Sequence, residues 1–178
     1  MNPALRGKPV AVVAVMTDAT SAIAASYEAK AYGIKTGTPI WEARAKCPQL
    51  ICVLGQHEKY VQYHLRAIAE VENHIPVSMV CSIDEIACRL MSNENSHARA
   101  SQIAANIKRG LARNVGEYVK CSIGIAPNRY LAKVATDMQK PDGLTFLNAT
   151  DLPEKLYALA LRDLPGIGHN MEKRINRQ

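Results

Sequence analysis

Aromatic side chains are scarce in this chain of 178 residues, which has one Trp, one Phe and seven Tyr. Stacking on bases would have to lean on Tyr, which argues against a module built on aromatic platforms for single strands. Long apolar runs are lacking too. The longest, "VAVVAVM" at 10–16, is far too short to span a bilayer. The opening "MNPALRGK" has no apolar stretch, so no secretory signal is expected. The five Cys (Cys47, Cys52, Cys81, Cys88, Cys121) include no C-x-x-C pair, so a zinc site is not expected. Three of them fall in apolar runs and read as buried thiols in a reducing compartment. No repeat or low-complexity segment occurs. These absences predict a soluble, cytoplasmic protein with no membrane partner.

What is present is a core and a charge gradient. Hydrophobic residues make up 48% of the chain, enough to exclude disorder. The net charge is +6, and it is uneven: residues 1–90 hold 9 Lys/Arg against 8 Asp/Glu, residues 91–178 hold 13 against 8. A basic second half suits a polyanionic partner such as nucleic acid.

Hydrophobic patterning predicts strands at "KPVAVVAV", "QLICVL", "VSMVCSI", "IACRL", "YVKCSIGIA" and "GLTFL". "ATSAIAASYEAKAYG" reads as small residues passing into a short helix closed by Gly33. "TPIWEARAKCP" reads as a helix with Thr38 as N-cap, Pro39 as its first residue and Pro48 as its stop. In the helix expected over 57–75, Val61, Leu65, Ile68, Val71 and Ile75 share one face. A basic helix is expected from about 97 to 114, and another over "PNRYLAKVATDMQK" with Pro127 at its first position and Leu131, Val134 (or Ala135) and Met138 inward. From about residue 150 the pattern is helical only, so a domain boundary is expected there. The class is α+β, with helices on one face of a mixed or antiparallel sheet.

Four features carry candidate chemistry. Asp84 and Glu85 lie between Ile83 and Ile86, in a run that otherwise reads as buried, where an isolated carboxylate is costly. At a tight bend both could reach one point and hold a hard cation such as Mg²⁺; they could equally cap a solvated hairpin. Tyr27 and Lys30, three apart on a helix, could hold phosphate oxygens or form a surface stripe. Lys133 lies off the apolar stripe in the N-terminal half of its helix, either near an anion or simply solvated. In "LPGIGHNMEKRI", Gly166 and Gly168 would let backbone amides approach phosphates, with Lys173 and Arg174 adding charge. That is a helix-hairpin-helix pattern, although an ordinary glycine-capped turn would look the same.

Together, and in this order, the segments "NPALRGKPVAVV", "AASYEAKAYGIKTGTPIWEARAKCP", "SIDE", "CSIGIAPNRYLAKVATDMQKPDGL" and "LPGIG" resemble the catalytic core of Y-family translesion DNA polymerases, the UmuC-type domain. The resemblance covers nearly the whole chain. It implies a fingers region over 1–56, a palm over 57–149 and the start of a helix-hairpin-helix thumb over 150–178. It further implies that Asp84 and Glu85 are catalytic, metal-binding carboxylates for two Mg²⁺ ions about 3.5–4 Å apart. Tyr27, Lys30 and Lys133 would bind the triphosphate of a dNTP, and Gly166, Gly168, Lys173 and Arg174 would contact primer–template DNA. The implied activity is DNA-directed DNA synthesis in repair and damage tolerance, including the SOS response, with a sliding clamp as a possible partner through a C-terminal region.

Three departures from the family pattern stand out. Arg is usual where Lys30 stands, and Lys keeps the charge but loses the planar fork. "TDATSAIA" at 17–24 differs from the family's Arg-Gly-containing version. The family's leading Asp-x-Asp-x-Phe/Tyr strand, with a further metal-binding Asp and the steric gate against ribonucleotides, has no counterpart in this sequence. An unpaired sheet edge is therefore expected, and a weak or inactive polymerase. The alternatives are a DNA-binding remnant or accessory subunit without catalysis, and a nucleotidyltransferase or two-metal nuclease of another kind.

Overall fold

The computed structural model describes residues 2–177, and its architecture is α+β. The chain divides into two compact units, one ending at Lys59 and the other starting at Tyr60.

In the first unit, strands β1 (Val10–Val13) and β2 (Ala22–Ala25) run antiparallel, followed by helices α1 (Tyr27–Lys30) and α2 (Ile40–Lys46). Strand β3 (Ile51–Leu54) pairs parallel with β1, which is therefore central. β1 shows period-two burial: Ala11 and Val13 face a core shared with Ala22, Ile34, Ile40 and Leu50. β2 was not expected, because "AIAA" carries little strand preference. It forms because β1 offers an edge and Ala22 is small enough to lie buried beneath it.

The start of α2 also differs from expectation. Pro39, not Thr38, takes the N-cap position, with no side-chain cap. The Thr38 hydroxyl turns back to accept from the Lys35 amide at 3.0 Å, while the Ile40 amide donates to Thr20 O at 2.9 Å. Trp41, the only Trp, is 63% exposed on α2.

The second unit holds most of α3 (His57–Glu72), the antiparallel hairpin of β4 (Val77–Val80) and β5 (Ile86–Cys88), and α4 (His97–Gly110). A π-helical turn, Leu111–Val115, continues α4. Then come β6 (Ile123–Ile125), α5 (Arg129–Met138) and β7 (Leu144–Phe146), with β6 and β7 parallel and α5 as the crossover that parallel strands require. Short helices α6 (Glu154–Tyr157) and α7 (His169–Ile175) follow, with a 3₁₀ turn Leu161–Asp163 between them.

The apolar stripe of α3 is buried only at its C-terminal end. Val71 and Ile75 pack with Ile103, Ile107, Leu111 and Val115, whereas Val61 and Leu65 are exposed, Leu65 by 60%. The expected burial of thiols holds fully for Cys47 alone; Cys81 and Cys88 are exposed. Among the described residues no helix is long and apolar enough to cross a membrane.

Two close contacts fix the second unit. At Gly124 in β6 a Cβ would lie 2.1 Å from Ala132 O and 2.5 Å from the Thr136 amide, so α5 can seat on β6 only over a glycine. The N-terminus of α5 is capped by Asn128, whose Oδ1 accepts from the Leu131 amide at 2.9 Å. Pro127 therefore precedes the cap instead of opening the helix. Leu131, Val134 and Ala135 are buried as expected, but Met138 is exposed.

The second contact is polar. Glu70 of α3 is buried, accepting from Asn114 Nδ2 at 2.8 Å and from His74 Nε2 at 3.0 Å. Arg66 donates to Asn114 O at 2.6 Å. A Cβ at Gly110 would sit 1.9 Å from Glu70 Oε1, which accounts for the glycine at the end of α4. The Asn114 hydrogen bond holds the Glu70 carboxyl below its usual range; burial opposes this and His74 adds to it.

Two outcomes follow for denaturant unfolding. Gly124→Ala forces backbone apart and costs about 3 kcal/mol, the upper end of overpacking. A carboxylate lowered in the folded state contributes stability above its unfolded pKa and loses it as pH falls through the folded one. Wild-type stability therefore drops as pH falls below 4.5. Glu70→Gln starts less stable at pH 7 and shows a flatter acid limb.

Candidate active site

The turn between β4 and β5 carries the two adjacent carboxylates. Glu85 O accepts from the Cys81 amide at 2.8 Å and the Ser82 amide at 3.1 Å, which closes the bend. Ser82 Oγ donates to Asp84 Oδ1 at 2.7 Å and so orients that carboxylate. The bend is solvated: Asp84 is exposed and Ile83 is 53% exposed. Of the settings the sequence left open, the solvated hairpin is the one found, and the burial expected of the flanking run does not reach it. β4 and β5 form a two-stranded sheet, and apolar flanks do not bury a turn at the end of one strand pair.

Glu85 does have a charged neighbour. Lys133 of α5 donates to Glu85 Oε1 and lies 3.3 Å from Asp137 Oδ2, one helical turn on. Asp137 Oδ1 in turn pairs with Lys140 at 2.6 Å. Partial burial weakens the Lys133 ammonium, but the Glu85 hydrogen bond and the Asp137 charge outweigh it, so its pKa is raised above the usual lysine value. It is a fixed cation at any physiological pH. Asp137 and Lys140 were not singled out in the sequence, although the i, i+4 and i, i+3 spacings from Lys133 to Asp137 to Lys140 are a readable signal.

An open groove of about 380 Å³ runs from Lys133 and Asp137 to the turn bearing Gly166 and Gly168. Tyr130 of α5 donates to Pro165 O at 3.4 Å, joining that turn to the helix. Gly168 is the N-cap position of α7, and Lys173 and Arg174 lie exposed in its last turn. The helix expected just before the glycines is a 3₁₀ turn.

Tyr27 and Lys30 lie in the first unit. Both are exposed, and Lys30 Nζ sits 4.5 Å from the centroid of the Tyr27 ring, so they do share a face. Ser26 positions them: its Oγ accepts from the amides of Ala29 (3.3 Å) and Val10 (3.1 Å) and donates to Lys8 O at 3.1 Å. One hydroxyl thus caps α1 and ties it to the start of β1. In the neighbouring "TDATSAIA" stretch, Asp18 pairs with Arg44 at 3.0 Å.

The donor chemistry of Asp84 and Glu85, carboxylate oxygens on a solvated bend, fits a hard divalent cation. Among the described residues no third His, Cys, Asp or Glu joins them in a metal-binding group, so the shell they offer is partial.

The profile of the impB/mucB/samB family matches residues 1–137. The chain belongs to that family. Tyr27, Lys30, Asp84, Glu85 and Lys133 all lie within the matched region. DNA polymerase IV of Pelotomaculum thermopropionicum is 40% identical over 176 residues, which are 98% of this chain and 43% of that protein. DNA polymerase IV 1 of Bacillus subtilis is 34% identical over 175 residues, 98% of this chain and 42% of its own length. The chain thus spans less than half the length of these relatives. Among solved structures, DinB from Sulfolobus solfataricus matches with a TM-score of 0.86 and 29% identity, over 99% of this chain and 51% of the other. The insertion ternary complex of Dbh DNA polymerase matches with a TM-score of 0.85 and 30% identity, over 99% of this chain and 52% of the other.

Within this impB/mucB/samB chain, Ser26 is the residue on which the Tyr27–Lys30 face depends. Ser26→Ala removes the cap, the tie to Val10 of β1 and the tie to Lys8 before it, and costs about 1–2 kcal/mol, the range for a lost N-cap. Thermal unfolding of the variant beside the wild type reads this directly.

Proposed function

We propose that this chain supplies the fingers (1–56), the palm (57–149) and the beginning of the thumb (150–178) of a Y-family polymerase that copies damaged DNA. The observation that carries the reading is the solvated Asp84–Glu85 bend with Lys133 of α5 drawn against Glu85, inside the stretch that matches the family. The names of the similar proteins support it, and so does the ternary complex among the similar structures.

Under this reading, Asp84 and Glu85 hold Mg²⁺, two ions in the intact enzyme. Bound there, the metal supplies charge stabilisation for the attacking 3′-hydroxyl oxygen and the departing pyrophosphate. Ser82 fixes the rotamer of Asp84, so that carboxylate does not need to reorganise. Tyr27 and Lys30 present a phenol and an ammonium to the triphosphate, and Lys133 adds a second fixed positive charge. Gly166 and Gly168 leave backbone amides open to a DNA phosphate, with Lys173 and Arg174 adding attraction that salt screens. The setting is soluble and cytoplasmic.

A second reading, DNA binding without catalysis, is favoured by the donor set at the bend: among the described residues no His, Cys, Asp or Glu joins Asp84 and Glu85 in a group of three. Two assays separate the readings. Anisotropy of a labelled primer–template should show binding that weakens steeply with salt, and Mg²⁺-dependent retention of a dNTP that disappears in Asp84→Asn/Glu85→Gln. Template-directed primer extension lost in Asp84→Ala decides for the polymerase. Salt-sensitive DNA binding without extension decides for the second reading. Retention of a dNTP that ignores both Mg²⁺ and the carboxylate variants overturns the metal site altogether.

A further inference from the structure

Lys133 and a divalent cation would contend for the same oxygen. Lys133 Nζ donates to Glu85 Oε1, one of the few hard donors on the bend. The same ammonium already has a second anionic neighbour, Asp137, with Oδ2 at 3.3 Å and Oδ1 at 3.4 Å. Asp137 is a turn further along α5, and it is itself braced by Lys140 at 2.6 Å. Stepping one torsion of a lysine stem from one staggered well to another re-aims the ammonium without moving the backbone. The move from Glu85 to Asp137 therefore needs no change in α5, which is locked on β6 at Gly124.

We infer that Lys133 is a resident counter-cation of the metal site, handed from Glu85 to Asp137 when a divalent ion binds, with Asp137 as the positioning residue that receives it. The inference rests on the metal-site reading above and deepens it. Three physical points support it. The pairs are only partly shielded: the Lys133 side chain is 32% exposed and that of Glu85 is 42% exposed. Their exchange is therefore not penalised by deep burial, and a half-exposed ion pair is worth little enough for a divalent ion to displace it. Asp137 keeps the released ammonium paired, so no charge is left stranded when Glu85 turns to the metal. Lys133 also lines the groove that leads to the Gly166–Gly168 turn, so once released it faces the space in which an anionic substrate would lie. Metal arrival would then leave the ammonium on Asp137, at the edge of that groove.

The test is a Mn²⁺ titration of the full chain followed by electron paramagnetic resonance, with circular dichroism as the check on folding. Removing the competitor in Lys133→Met should tighten Mn²⁺ binding about three- to fivefold, the worth of a half-exposed ion pair. Asp137→Asn should weaken it by about threefold, because Lys133 then has only Glu85 to hold. The decisive comparison is the double variant. If Asp137 acts through Lys133, Asp137→Asn has almost no effect in the Lys133→Met background. If both merely add to the local field, their effects add. Additive effects, or a Lys133→Met variant that binds Mn²⁺ no better than wild type, overturn the exchange. The underlying metal reading is judged separately. It fails if Asp84→Asn/Glu85→Gln binds Mn²⁺ as wild type does, or if neither wild type nor Lys133→Met binds it. It stands, without the exchange, if the carboxylate variants lose binding while the Lys133 variant is neutral.

Discussion

α5 lies so close to β6 that the Ala132 carbonyl occupies the space where a side chain at position 124 would begin. Lys133 and Asp137 inherit their positions from that approach. With the helix seated there, Leu131, Val134 and Ala135 point inward, and the 3.6-residue period leaves Lys133 and Asp137 together on the opposite flank. Asn128 caps the helix and fixes where the period starts. Lys133 can therefore reach Glu85 because of a constraint at the second residue of β6, on the other side of the helix.

The two units solve the problem of anchoring in different ways. In the first, a single hydroxyl, Ser26 Oγ, serves three backbone groups and joins strand to helix. In the second, a buried carboxylate, Glu70, gathers Asn114 and His74 below the end of α4. The His97 ring stacks on Phe146, the only Phe, at 4.0 Å and so ties the start of α4 to β7. Each is a polar or aromatic tie; the main apolar cluster of the second unit is built from Val, Ile and Leu, whereas that of the first relies on small residues, Ala11, Ala22, Ala29 and Ala43. Small side chains bury little area each, so well-placed polar contacts carry more of the specificity.

Much of the fold was legible because local signals agreed with tertiary context. β1, β3, β6, β7 and α5 follow from their periodicity, and the α3 register follows from Val71 and Ile75. β2 was not legible, because pairing with β1 overrides the weak preference of "AIAA". The cap of α2 moved by one residue, because the Thr38 hydroxyl takes the Lys35 amide instead, and the start of α5 moved by two, from Pro127 to Arg129, because Asn128 supplies the cap. The exposure of Ile83, Val61 and Leu65 could not be read either, since apolar spacing tells which face a residue takes but not whether anything covers it. At the site, the motif resemblance singled out Asp84, Glu85 and Lys133. The contact between Glu85 and Lys133 was invisible, because it joins residues 48 apart through the seating of α5. Asp137 lay within reach of helix-spacing rules and inside the "LAKVATDM" block, but was given no role there because its partnership with Lys133 was not considered.

Trp41 stands alone on α2, open to water, in the unit that ends at Lys59. An indole 63% exposed is expected to emit as a largely solvated one in the native state, so unfolding of the first unit should change the colour of its fluorescence little and alter mainly its quenching. The second unit contains no Trp, and only tyrosine absorbance or ellipticity can follow it. An optical melt of this protein thus contains two separate voices, and agreement between them would say that the units unfold together.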